Sequence, residues 1–496
     1  MDTIQNVFYG FAVALTWKNL AFAFAGVLLG TLVGVLPGIG PAAGISLLLP
    51  STFHADPIAS MIMLCGLYYG TMYGGSTTSI LVNIPGEAAS IVTCFDGYQM
   101  ARKGRAGPAL GIAAFGSFIA GTISVVGLMF LAPTLASFAL KFGSPEYFSL
   151  MVMSMTLVTY LSQRSMIKGI MMASLGLVLS TVGLDPVTAK LRFTYDTLVL
   201  RDGLGIVPVV MGLFGVSEVL LNVGVRIDRE VFKTKIKGLF PNRQDWKESS
   251  MPIVRGSFLG FILGIIPGIG IIIPTFMSYG LEKRLSKHPE QFGTGRIEGL
   301  AGPESCNNSA ATGNLVPMLS LGIPANAVTA ILLGALTIYG LQPGPLLIRE
   351  HPDLFWGVIA SMYIGNAMLL ILNLPLIPLW VQILRVPYMI LYPLILLFCL
   401  IGAYSLNNNV SDVIIMGIFG VVGFLMKKFQ FEPAPLVLAL VLGPMLEDNL
   451  RQSLLISGGS FAPFFTRPLS AFFLIVSLAI LLVPLFKFRS STRHWR

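Results

Sequence analysis

Two stretches of this chain set hydroxyls, amides and carboxylates into otherwise apolar sequence. The first runs from Tyr73 to Glu87 and carries Gly75, Ser76, Thr77, Thr78, Ser79, Asn83, Gly86 and Glu87. Neutral oxygens of this kind suit a hard cation such as sodium, and their protons suit a carboxylate ligand. Glu87 follows a helix-breaking Pro-Gly in apolar surroundings, where a carboxylate is costly and functional by default. The alternative is an acid at a helix start in an interfacial loop. Asp96, close to Arg102 and Lys103, reads as an interfacial acid. The second stretch, Gly302 to Asn314, holds Glu304, Asn307, Asn308, Ser309, Thr312 and Asn314. Asn307 and Asn308 follow a Pro-Glu break and open a small-residue helix, on which Asn308 and Thr312 share a face. A set of loop caps is the plainer reading, and a ligand site the favoured one. A sodium ion is expected near Ser76, Thr77, Asn308 and Thr312.

A third element occurs twice, as PGIG at 37–40 and at 267–270. Proline ends a helix and glycine allows turns that other residues resist, so Pro37, Gly38 and Gly40, and Pro267, Gly268 and Gly270, mark broken helices. Inside a bilayer such breaks are tolerated where they line a site, because the next helix then offers free N–H groups to an anion. A simple kink with close glycine packing is the competing reading.

The elements that must hold these residues are membrane helices. Of 496 residues, 54% are hydrophobic and 11% charged, against about 25% charged in a soluble domain. Mean hydropathy is +0.79. That excludes nucleic-acid binders, cytosolic enzymes and disordered scaffolds. The expected fold is an all-α polytopic membrane protein with roughly 11–14 membrane segments, broken or re-entrant helices included. The chain opens without a basic leader or cleavage site, so the first apolar stretch is expected to be retained. Basic clusters at 102–105, 164–168, 226–255 and 427–428 and in the tail place those segments, and the C-terminus, in the cytoplasm. The segment 281–296 takes either side, depending on whether 252–280 crosses the membrane or re-enters. Four scattered cysteines show no metal spacing.

Residues 26–40 and 256–270 share eight of fifteen positions, and Ile84-Pro85-Gly86 recurs more weakly as Ile323-Pro324-Ala325. The chain therefore divides into a first half at 1–225, a basic connector at 226–255 and a second half at 256–496. Secondary transporters are commonly built from such paired halves, often inverted, with broken helices in matching positions. No phosphate-binding loop, HExxH or GxSxG is present, so the reading is a transporter and not an enzyme. ATP-driven pumping by this chain alone is excluded. A channel, or a carrier of another small organic anion, is the alternative.

The stretches LVGVLPGIGP at 32–41, YGGSTTSILVNIPGEAASIVTCFDGYQMARKGRAG at 73–107, GIIPGIG at 264–270 and the run from Gly302 to Pro345 resemble the large membrane subunit of the tripartite tricarboxylate transporters, the TctA family. The resemblance covers nearly the whole chain in order. It departs at Ala325, where glycine is expected as at Gly86, and this weakens ligand binding through the bare backbone of 323–325. The resemblance implies a multi-pass importer of the bacterial inner membrane, coupled to sodium or protons, with no cofactor. It also implies two partners, a small four-helix membrane subunit and a periplasmic binding protein delivering a citrate-like di- or tricarboxylate.

Overall fold

The computed structural model describes residues 3–36, 38–53, 55–160, 165–185, 187–223, 238–383 and 388–491. Pro37 and the basic residues 226–237 lie outside the described residues. Helix dominates, and among the described residues the one sheet is the antiparallel pair Gly183–Leu184 with Leu191–Arg192. Five helices are long and apolar enough to cross a membrane: Trp17–Val35, Ala106–Ala139, Pro352–Asn373, Ile390–Asn407 and Val410–Lys428. The 26-residue helix Pro57–Val82 has the length, but the first polar stretch begins within it, at Tyr73, and lowers its apolarity.

Contacts divide the chain into two units. One comprises Met1–Ala136 and Val207–Phe424, the other Ser137–Ile206 and Leu425–Arg496. In the second unit, Ser144–Tyr160, Met166–Ser180, Pro433–Ile456 and Pro468–Ser491 pack together. Arg467–Glu146 at 2.8 Å and Arg451–Asp185 at 2.9 Å fasten this unit.

The first unit holds both polar stretches and both PGIG turns. The first turn separates Trp17–Val35 from Gly40–Leu48, and the second separates Arg243–Gly264 from Ile272–Leu285. Gly38 and Gly268 have φ of 92° and 89°, and Gly40 and Gly270 have 65° and 66°. Glycine adopts these angles without the steric cost a side chain would bring.

Each broken helix is also a glycine seam. A Cβ on Gly26, Gly30 or Gly34 would lie 2.2, 2.5 or 2.3 Å from the carbonyl oxygens of Met63, Leu67 and Thr71. On Gly256, Gly260 or Gly264 it would lie 2.3, 2.3 or 2.5 Å from those of Gly302, Cys306 and Ala310. Glycine at every fourth position lets main chain meet main chain, the device by which helices associate where no hydrophobic effect drives them. The seams press Trp17–Val35 onto Pro57–Val82 and Arg243–Gly264 onto Glu298–Gly313, the helices that carry the two polar stretches.

The first polar helix stops at Asn83, in the left-handed conformation at φ of 59°. The second gives way at Asn314 to the short helix Leu315–Leu321, which Gly322 stops in the same conformation at φ of 70°. After Ile84-Pro85-Gly86 and Ile323-Pro324-Ala325, Glu87 and Asn326 cap the next helix through capping boxes with Ser90 and Thr329. The expected Pro-Glu break at 303–304 does not occur. Pro303 lies inside the continuous helix Glu298–Gly313, which runs through it at the loss of one main-chain hydrogen bond.

Candidate functional site

The glycine seams, the left-handed stops and the caps bring the two polar stretches together. Glu304 is fully buried, and its carboxylate accepts hydrogen bonds from the hydroxyls of Ser76 and Thr93. Glu87, 7% exposed, accepts from the Ala89 N–H at 2.7 Å and from the Asn307 amide at 3.0 Å. Gly75 leaves room for it, since a Cβ there would lie 2.9 Å from Glu87 Cγ. Among the described residues no lysine or arginine pairs with either carboxylate. Charged groups this deep are ordinarily held by opposite charge, whereas here neutral donors alone hold them. Such a centre attracts cations or protons.

A second pair of contacts flanks the first. The Tyr68 hydroxyl oxygen accepts the amide N–H of Asn326 and that of Asn314, each at 3.0 Å. Asn308 donates to Ser117 Oγ at 2.6 Å, so the second stretch also touches Ala106–Ala139. Asn307 Oδ1 and Asn314 Oδ1 are buried acceptors without a protein partner.

The remaining expected residues are placed as follows. Thr77 bonds weakly back to the Tyr73 carbonyl at 3.4 Å, and Thr78 reaches the Val35 carbonyl at 2.9 Å. Ser79 meets Ser90 Oγ at 3.0 Å, behind Glu87. Ser309 faces away from both acids, bonding Ser124 and the Ser257 carbonyl. Thr312 bonds back to the Asn308 carbonyl at 3.3 Å. Asn83 is an exposed helix stop outside the centre. Gly86 rests against the main chain of Gly34 and Gly75. Gly38 lines a separate small cavity with Asn222. Pro267 is half-buried at its turn, where Gly268 N–H donates to the Ala325 carbonyl at 2.8 Å. A Cβ on Gly40 or Gly270 would meet nothing within 4 Å.

Thr93, Tyr68, Ser117 and Asn326 were not anticipated. Each is a lone polar residue without a motif. Asp96 is fully buried within the protein. It accepts the N–H of Gly293, Gly295 and Arg296 at 3.0, 2.7 and 2.7 Å, and the Tyr279 hydroxyl at 2.9 Å. Main-chain donors leave no signature in sequence, so an acid held mostly by them looks solitary.

Comparison with known proteins agrees with this architecture. Residues 20–438 match the tripartite tricarboxylate transporter TctA family. An uncharacterized 52.8 kDa protein in the TAR-I ttuC' 3'region of Agrobacterium vitis is 50% identical over 485 residues, covering 98% of this chain and 97% of its own. A second Agrobacterium vitis protein, in the TAR-II ttuC' 3'region, is 49% identical over 226 residues, covering 46% of this chain and 93% of its own. No solved structure matches.

Proposed function

The chain belongs to the tripartite tricarboxylate transporter TctA family, and from that premise we propose that it is a secondary active importer of di- or tricarboxylates driven by an ion gradient. One observation carries the ion-driven reading: Glu87 and Glu304, buried in an apolar bundle, face only neutral donors. A carboxylate so placed is stabilised when a proton or sodium ion joins it and destabilised when the ion leaves. This chain has no nucleotide-binding loop, so the energy for uptake against a gradient comes from a coupled cation or from another subunit, and the buried acids favour the cation.

The substrate class follows the family. A periplasmic binding protein that delivers the carboxylate and a small membrane subunit complete the assembly, in a bacterial inner membrane with the C-terminus cytoplasmic. The two halves are inverted repeats about the buried centre. Matched seams, left-handed stops and capping boxes support that relation. So does the reciprocal pairing of Asn307 with Glu87 and Asn326 with Tyr68. Transporters with this symmetry bind at the midplane, where broken helices meet.

Counterflow in proteoliposomes, made with the partner subunits and labelled citrate, tests the reading. Exchange that requires sodium, and fails when choline replaces it at constant pH, is expected. Current without exchange would make the protein a channel, and exchange indifferent to sodium would move the coupling to protons.

A further inference from the structure

A cavity of about 10 Å³ opens within the first unit beside Ser76, which bonds Glu304. That is room for one water-sized guest. Ser76, Thr77, Ser117 and Asn373 supply its polar lining, and Leu110 and Ile377 its apolar wall. Asn373 is the telling residue. It is 4% exposed, at the end of the apolar helix Pro352–Asn373. Its amide nitrogen donates to the Leu369 carbonyl at 2.9 Å. A carbonyl can only accept, so the amide orientation is set, and Oδ1 is left buried without a partner.

The other oxygens are turned the same way. Ser76 directs its proton to Glu304 or to the Met72 carbonyl, and Thr77 directs its own to the Tyr73 carbonyl. Ser117 receives the Asn308 amide. What Ser76, Thr77 and Asn373 present to the space is lone pairs. A water there would bring protons for two of them. A bare cation satisfies all of them, and Glu304, one hydrogen bond behind Ser76, balances its charge.

We infer that this cavity is the binding site of the coupling sodium ion, with Asn373 Oδ1 and the hydroxyl oxygens of Ser76, Thr77 and Ser117 as ligands. The assignment rests on the ion-driven reading above and extends it to Ser117 and Asn373. Both lie among apolar neighbours on otherwise apolar helices, Ala106–Ala139 and Pro352–Asn373. Hard cations favour such oxygen sets, with a carboxylate close by.

The test is thermal protection of the purified full-length chain by sodium chloride, with choline chloride as the ionic-strength control. Sodium-dependent citrate counterflow is measured alongside on the reconstituted complex. Losing one oxygen ligand is expected to raise the half-saturating sodium concentration about ten- to a hundredfold in Asn373→Ala and Ser117→Ala. Asn373→Asp, which retains the oxygen, should stay at or below the wild-type value. Asn409→Ala, in an exposed turn, controls for generic loss of an asparagine. Wild-type protection that persists at the same midpoint in both alanine variants overturns this site and leaves the ion-driven reading standing. Absence of sodium protection and of sodium-dependent counterflow in the wild type overturns both.

Discussion

Gly260→Ala tests the seam that presses Arg243–Gly264 onto the helix carrying Glu304 and Asn307. The added methyl would lie 2.3 Å from the Cys306 carbonyl oxygen and 2.9 Å from its Cα. An ordinary carbon–oxygen contact is about 3.5 Å, so the helices must part by about an ångström. Overpacking of this kind costs about 1–3 kcal/mol, read as a drop in apparent stability in an SDS-unfolding titration of purified protein. Transport should suffer more than stability, because parting the seam displaces Glu304 and Asn307 from hydrogen bonds that lengthen with it. Trimming Cys306 to glycine should give no rescue, since the colliding atoms are main chain. Gly280→Ala is the internal control. A Cβ there meets nothing within 4 Å, and alanine is the better helix former by about 1 kcal/mol. Unchanged stability and counterflow in Gly260→Ala, or rescue by Cys306→Gly, would refute the close approach.

Two further outcomes follow. Asp96→Ala strands the N–H groups of Gly293, Gly295 and Arg296, at about 1–3 kcal/mol for each group left without an acceptor. Limited trypsin digestion should then cut quickly after Lys287 or Arg296, where the wild type resists. In the second unit, hydrogen bonds from the Thr188 hydroxyl and the Val187 N–H, with the Arg451 guanidinium, hold the Asp185 carboxyl well below the usual carboxylate range. Its folded pKa is therefore lower than its unfolded one. Its contribution to the 183–192 hairpin is complete above about pH 4 and is lost as the pH falls further. Pepsin cleavage of that hairpin should rise between pH 4 and 2 in the wild type. In Asp185→Asn it should be high throughout, and equal profiles would remove this assignment.

Ser76, Glu87, Glu304 and Asn307 stood out in sequence because hydroxyls, amides and acids are rare in apolar helices, and here they fall in two clusters, whereas Thr93, Tyr68, Ser117 and Asn326 did not. Their pairing was not legible. Ser76, Thr93 and Asn307 reach partners 228, 211 and 220 residues away, and no local pattern records such distances. The PGIG turns announced their own left-handed glycines, and the shared glycine spacing announced the seams. Proline at 303 misled, because a proline in the early turns of a helix need not end it. Asp96 gave no sign of its partners, three main-chain N–H groups and the distant Tyr279 hydroxyl. Ser117 and Asn373 were passed over as single polar residues, which in a membrane helix ordinarily bond back to their own turn. Asn373 does so through its nitrogen and leaves its oxygen over.

The separation of those partners has a consequence for how the protein is made. Synthesis proceeds at about 5–20 residues per second, so Glu87, whose amide partner stands 220 residues later, waits roughly ten to forty-five seconds for Asn307 to be translated. Ser76 and Thr93 wait as long for Glu304. During that interval the first half of the nascent chain sits at the translocon with a polar seam that has no mate. Its stop at Asn83 and its cap at Glu87 are already set, while its charge is unanswered. Insertion of the two halves is therefore a single event in thermodynamic terms. A chain released before residue 307 would carry an unbridged carboxylate and an unbonded tyrosine into the bilayer.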